Sequence, residues 1–188
     1  MLLLLFGDKA SVIVYYDGID SPIGVVYVVF EGEVLKAVTL ERPRCVAHSV
    51  SPAIRDQFDE YFAGSRVVFD MRFSLEGVTS FCLDVYTALE RVPYGNLCTY
   101  KELAKWVGVV GGARAVGQAL KKNPLPIVIP CHRVIASDGS LGGFLLGLDV
   151  KRWLLEKEKT KKEGGSAPSS DLPRKGTSPL DPIFAMLF

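Results

Sequence analysis

The sequence predicts an α+β fold: an N-terminal α/β unit built on a small antiparallel sheet, then a mostly helical C-terminal domain containing a helix-turn-helix. Three observations predict it. Strand-like runs separated by turn residues fill the chain up to Leu40. Between Thr99 and Lys122 two short helical stretches flank a glycine-rich bend. From Asp149 onward apolar side chains recur at helical spacing. The expected boundaries are 1–75 for the first domain, 76–160 for the helical domain and 161–188 for a Pro/Ser/Gly-rich tail.

Taken in order, Ser11 to Tyr16 reads as a strand and Asp17 to Pro22 as a turn. Gly24 to Phe30 and Val34 to Leu40 read as strands joined at Glu31-Gly32-Glu33. Ser51-Pro52 opens a helix, with serine at the cap and proline in the first turn; it ends at Gly64. Val67 to Phe73 is expected to be extended. Phe81, Val85, Ala88 and Leu89 make the apolar stripe of a helix that stops before Pro93-Tyr94-Gly95-Asn96. Thr99 with Glu102 three residues on forms a capping box for a helix from Tyr100 to Trp106. Gly108 to Gly112 is the bend. The next helix runs from Ala113 to Lys122 and stops at Asn123-Pro124.

That second helix is slim. Ala113, Ala115, Gly117 and Ala119 give it little side-chain bulk, and its glycine costs ~1 kcal/mol of helix stability. Such a helix can approach a groove or another backbone closely. Lys121 and Lys122 favour its C-terminal dipole. After Val134-Ile135 and the turn Ser137 to Ser140, the last helix is expected to use Asp149 as its N-cap. Lys151, Leu154, Leu155 and Glu158 then share one face. A carboxylate on an inward face needs a partner, and His132 is a candidate. From Thr160 the composition shifts to glycine, serine and proline, reading as a disordered or draped tail with an apolar end, Ile183 to Phe188.

With 188 residues, 48% hydrophobic and 23% charged, the chain has the makings of a packed globular core. A net charge of +1 gives no global attraction to polyanions. The distribution says more. Residues 99–133 hold Lys101, Lys105, Arg114, Lys121, Lys122 and Arg133, with Glu102 as the lone acid. A local basic field of that kind suits nucleic acid. Four irregularly spaced cysteines suggest no disulfide framework and a reducing compartment, expected to be the cytoplasm, with the protein nucleoid-associated, or the nucleus in a eukaryote. The leucine-rich start is too short for a signal peptide, and no apolar run is long enough to span a membrane. Cys45-Val46-Ala47-His48 is half a zinc site without a second half, so no metal is expected.

The chemistry centres on Ile129-Pro130-Cys131-His132-Arg133-Val134. An apolar run, Pro126 to Ile129, delivers Cys131 to a proline-stiffened turn. A cysteine in such a run is ordinarily an inert core residue. Here a base and a cation follow within two residues, and a thiol attacks as its thiolate, which cations favour. Cys131 is therefore expected to be a nucleophile with a lowered pKa.

This stretch, with Asn123-Pro124 and Arg114-Ala115-Val116-Gly117 upstream, resembles the O6-alkylguanine-DNA alkyltransferase family from about Phe81 to Glu158. The resemblance implies a single-turnover repair protein acting on double-stranded DNA containing O6-alkylguanine, bound through its minor groove by a monomer, with no cofactor. It implies Cys131 as alkyl acceptor, His132 as its base through a water, and Glu158 as the orienter of His132. Asn123 would hold the turn before the cysteine, and Tyr100 would contact the target base and protonate the departing guanine. Arg114 would fill the gap left by the flipped nucleotide. Ala115, Gly117, Lys121, Lys122 and Arg133 would join it in contacting DNA. Val134, Pro126, Phe144, Leu145 and Leu146 would line the pocket, and the carbonyls of Cys131 and Val134 would read the guanine amino group. Phe144 stands where the family commonly has tyrosine, and a bulky Leu146 is expected to narrow the pocket. Rival readings are a non-enzymatic alkyltransferase-like lesion binder, against which Cys131 argues, and a cysteine hydrolase, disfavoured because adjacent residues seldom aim at one point.

Overall fold

The computed structural model describes residues 13–162, with side chains described through residue 159. The start of the expected Ser11 strand, and the tail with its apolar end, lie outside the described residues.

The first half is α+β. Strands β1 (Tyr15–Ile19), β2 (Val26–Glu31), β3 (Val34–Thr39) and β4 (Val46–Ala47) form one sheet in the order β3-β2-β1-β4. Two corrections follow. The sheet is mixed, because β4 pairs with β1 in parallel. And β1 lies later than expected, running through Asp17 and Gly18, which read as turn residues. Asp17 belongs there because its carboxylate accepts the Val50 N–H at 2.9 Å and pairs with Arg55, tying the strand to the start of α1. Its pKa is lowered: burial alone would raise it, and these bonds outweigh that.

Helix α1 spans Pro52–Ala63 and ends at Gly64, which adopts the left-handed conformation that glycine tolerates. Ser51 takes the cap position, but its side chain makes no capping bond. The expected extended segment from Val67 to Phe73 forms no strand beyond a single bridge between Phe73 and Leu35. The physical reason is Gln57. Its amide donates to the Asp70 carbonyl and accepts the Asp70 N–H, both at 2.6 Å, taking the place of a neighbouring strand.

The second half is helical. Helix α2 (Ser80–Leu89) is capped by Thr79, and its Tyr86 hydroxyl donates to the Ala119 carbonyl at 2.9 Å. Strand β5 (Cys98–Thr99) leads directly into α3 (Tyr100–Trp106), and both bonds of the Thr99–Glu102 capping box form. Helix α4 (Ala113–Lys121) follows the glycine-rich bend. A 3₁₀ turn, Cys131–Arg133, opens into β6 (Val134–Ile135), which pairs in parallel with β5. That pairing sets the Tyr100 end of α3 beside the Cys131 turn. Helix α5 begins at Leu148 and runs to Lys162, so Asp149 sits in its first turn and is not its cap. No helix among the described residues is long and apolar enough to cross a membrane.

One buried apolar cluster runs from Ile19 and Leu35 of the sheet, through Phe58 and Leu89, to Leu103, Val116 and Val134. The sheet-bearing half and the helical half therefore share a core. The backbone crosses between them too, with the Val38 N–H of β3 donating to the Pro124 carbonyl at 2.8 Å.

The capping box is local and exposed at Glu102, so Thr99→Ala should cost about 1 kcal/mol. Urea unfolding measures it: the midpoint should fall with the slope unchanged. No change would show that tertiary packing, not the cap, holds α3 in place.

Candidate active site

Between α4 and the 3₁₀ turn the chain makes a tight, over-determined loop. Asn123, fully buried, accepts the Leu125 N–H at 3.0 Å and donates to the Ile129 carbonyl and to Cys131 Sγ, both at 3.1 Å. Ile127 has φ +79°, in the left-handed region. For a β-branched residue that strain costs of order 1–3 kcal/mol and persists only where surroundings enforce it. Asn123 and the burial of Ile127 against Tyr61 and Leu154 enforce it here. The result is a sulfur held at one place.

Cys131 is buried, yet it lines a cavity of about 360 Å³. Burial pushes its thiol up to about 11, against the Asn123 hydrogen bond and the Lys151 charge. This overturns the expected lowered pKa: at neutral pH the resting sulfur is a thiol. The cation meant to lower it looks elsewhere. Arg133 is buried, its Nε and Nη2 on Glu158 at 2.9 and 3.0 Å and its Nη1 on the Val92 carbonyl at 2.9 Å. Placing Arg133 on the DNA-facing surface is likewise incorrect, because every arm of its guanidinium is engaged inside the protein.

Glu158 does lie on the inward face of α5, and His132 does meet it, Nε2 to Oε1 at 2.8 Å. The carboxylate also accepts the Gly95 N–H at 3.0 Å and the Tyr61 hydroxyl at 3.1 Å. Burial alone would raise its pKa. The His132 hydrogen bond, the charge that ring carries once protonated in acid, and the Arg133 charge win, holding it down at about 2. Burial lowers the His132 pKa despite Glu158, so the ring is neutral at neutral pH. With Nε2–H donating to the carboxylate, Nδ1 keeps its lone pair and has no hydrogen-bond partner among the described residues.

Tyr100 is half-buried on the cavity wall, and its hydroxyl donates to the Gly143 carbonyl at 3.3 Å. Gly142 makes this possible: a Cβ there would sit 2.7 Å from the Tyr100 hydroxyl oxygen, and its φ is +64°. Phe144 and Leu145 line the cavity, with Phe144 edge-on to His132 at 6.3 Å between ring centres. Leu146 does not. It packs inward with Tyr61, Ile127 and Leu154, so any narrowing falls to Leu145. Pro126 and Val134 are buried away from the cavity, a second correction to the expected lining.

Arg114, Gly117 and Lys121 of α4 complete the lining. Arg114, Ala115, Lys121 and Lys122 are exposed. A methyl group added at Gly117 would only touch the Tyr100 ring, at 3.9 Å, so internal packing does not demand a glycine there.

Two participants were not assigned from sequence. Tyr61 comes from α1, in the other half of the chain. Lys151 is fully buried, and its Nζ donates to the carbonyls of Val134 at 2.6 Å, Gly143 at 3.3 Å and Leu141. It staples the cavity loop to α5, and burial brings its pKa down to about 8. Its place in the stripe with Leu154 and Glu158 was the available signal. The Val134 carbonyl, expected to read a base, is thus already engaged by Lys151. All four cysteines are free thiols, and no group of side chains suited to a metal occurs among the described residues.

The pattern of the 6-O-methylguanine DNA methyltransferase DNA-binding domain matches residues 80–160. A Methanosarcina barkeri methylated-DNA–protein-cysteine methyltransferase is 39% identical over 153 residues, covering 77% of this chain and 96% of that protein. The Mycobacterium tuberculosis protein of the same name is 41% identical over 159 residues, covering 79% and 94%. The crystal structure of M. tuberculosis OGT in complex with DNA superposes with a TM-score of 0.73 at 39% identity, covering 78% of this chain and 94% of that one. An O6-methylguanine-DNA methyltransferase from Pyrococcus kodakaraensis gives 0.61 at 30% identity, covering 78% and 99%. With the thiol, imidazole and carboxylate arranged as described, these likenesses settle the lineage: the chain belongs to the methylated-DNA–protein-cysteine methyltransferase family.

Proposed function

We propose that this protein repairs O6-alkylguanine in duplex DNA by moving the alkyl group onto its own Cys131, once per molecule. The observation that carries this reading is a rigidly held thiol on the wall of a cavity of about 360 Å³, within the ~300–1,000 Å³ of small-ligand sites. Next to it in the chain stands a neutral imidazole oriented by a carboxylate.

The O6 substituent of a stacked guanine is out of reach from either groove, so the nucleotide must be flipped. Flipping costs a few kcal/mol, least for a damaged, poorly paired base. Helices α3 and α4 act as the helix-turn-helix. The small side chains of Ala115 and Gly117 let α4 lie in the minor groove, where bending and unstacking are common devices. Lys121 and Lys122 meet phosphates. Arg114, exposed beside the cavity mouth, occupies the gap in the stack.

In the cavity the thiol proton passes through a bridging water to His132 Nδ1. The thiolate attacks the alkyl carbon, forming the S–C bond as the C–O6 bond breaks and its electron pair goes to O6. The guanine anion gains a proton from Tyr100, whose pKa burial raises, so that it is fully protonated at neutral pH. Glu158 stabilises the imidazolium. The thioether product is stable, and among the described residues no second nucleophile is placed to cleave it, which limits each molecule to one event.

Three outcomes are expected. Cys131→Ser should bind alkylated duplex as the wild type does and remove no alkyl group. Residual stoichiometric repair would refute the acceptor role, and binding without repair by both proteins would identify a lesion binder. Arg114→Ala should slow repair in duplex at least ~10-fold more than reaction with free O6-benzylguanine; equal losses would remove its role in holding the flipped state. Leu145→Ala should raise the rate on O6-benzylguanine relative to O6-methylguanine several-fold, and an unchanged ratio would show that Leu145 does not limit lesion size.

A further inference from the structure

Helix α1 belongs to the sheet-bearing half, far from Cys131 in sequence, yet it reaches the reacting centre. The Tyr61 hydroxyl donates to Glu158 Oε1 at 3.1 Å across 97 positions of chain. The same oxygen accepts from His132 Nε2 at 2.8 Å and Arg133 Nη2 at 3.0 Å. Tyr61 is 1% exposed, and its ring stands within 5.1–6.2 Å of Phe62, Phe69 and Tyr94, centre to centre. Packing therefore fixes where the hydroxyl points. A phenylalanine would fill the same apolar space, so burial does not account for the oxygen.

We propose that Tyr61 is a positioning residue for alkyl transfer, acting through Glu158 to set the basicity of His132. The proposal rests on the function proposed above and adds a residue from the first half of the chain to it. The hydroxyl takes up part of the Oε1 charge. What remains is enough to orient the imidazole and receive an imidazolium, but less than an unshared carboxylate would exert. Removing the hydroxyl concentrates charge on the oxygen facing His132 and makes the ring more basic. The ring is then held protonated to higher pH, and a protonated ring cannot accept the thiol proton.

The other charged and titratable groups around the pair are accounted for. Arg133 lies on both carboxylate oxygens, and Cys131 precedes His132 in the same turn. Lys151 and Lys157 come from α5, with Lys157 Nζ 5.0 Å above the Tyr61 ring. Tyr94 faces Tyr61 and Arg133. Tyr61 itself has its pKa raised well above the ordinary value, by burial first and the Glu158 charge second. It therefore remains a donor through the working range.

The test is Tyr61→Phe, which keeps the ring and its packing. Two readouts are taken on the full-length protein: the pH profile of single-turnover transfer from O6-methylguanine duplex, and the NMR titration of His132. The chain has only two histidines, and the other, His48, is exposed, which makes the assignment simple. The acid limb and the His132 midpoint should both rise by roughly 0.5–1 pH unit. Transfer should slow ~3–10-fold on the acid side and stay near the wild-type rate above the limb, with DNA affinity unchanged. Superimposed profiles and midpoints, with only a lower melting temperature, would reduce Tyr61 to a structural role and overturn the proposal. Absence of transfer in the wild type would instead overturn the function on which it rests.

Discussion

A single ionised carboxylate, buried to 1% exposure, is the constraint on which the reacting centre depends. An unpaired charge there would be untenable. Glu158 is tolerated because five donors converge on it, from α1, from the turn after α2 and from the Cys131 turn. Removing one member of such a buried pair costs about 3–5 kcal/mol, because its partner is left uncompensated. With a folded pKa near 2 against an ordinary 4.5, Glu158 stabilises the fold fully above about pH 4.5, and that contribution is lost as the pH falls toward 2. The groups that bring α1, the cysteine turn and α5 together are therefore the ones that prepare the imidazole.

The same arrangement keeps the thiol quiet. Burial dominates at Cys131, and the nearby guanidinium is spent on Glu158. A permanently ionised, low-pKa thiolate would react with any small electrophile able to enter the cavity. A thiol that is neutral at rest needs a base and an aligned alkyl carbon together. Asn123 and the strained Ile127 hold the sulfur in place, while Lys151 fastens the loop carrying Phe144 and Leu145. Rigidity here serves near-attack geometry: effective concentrations reached by such positioning account for several kcal/mol of barrier.

How much could be read in advance depended on how local the cause was. The Thr99–Glu102 box and the Gly64 stop involve residues within one turn, and both were legible. So was Glu158, because helical spacing placed a carboxylate among leucines and burial then demanded a partner. Arg133 was misread because its charge suggested DNA, while its burial depends on Val92 and Glu158, both far along the chain. Lys151 shared the inward stripe, but lysines there usually extend their amine to solvent; only the folded loop supplies three carbonyls. Leu145 and Leu146 face opposite ways on a loop without periodicity, so neither side could be assigned. Asp17 in a strand and the irregular Val67–Phe73 segment follow from side chains, Asp17 and Gln57, that capture distant backbone groups.

Where the alkyl group ends, and how many each molecule accepts, distinguish self-alkylating repair from turnover and from lesion binding. Intact-protein mass spectrometry, with peptide mapping, after incubation with excess O6-methylguanine duplex measures both. The account predicts that each protein molecule gains the mass of one methylene, located on Cys131, while one lesion per protein disappears. Loss of many lesions per protein, or bound lesions with an unchanged protein mass, would contradict it.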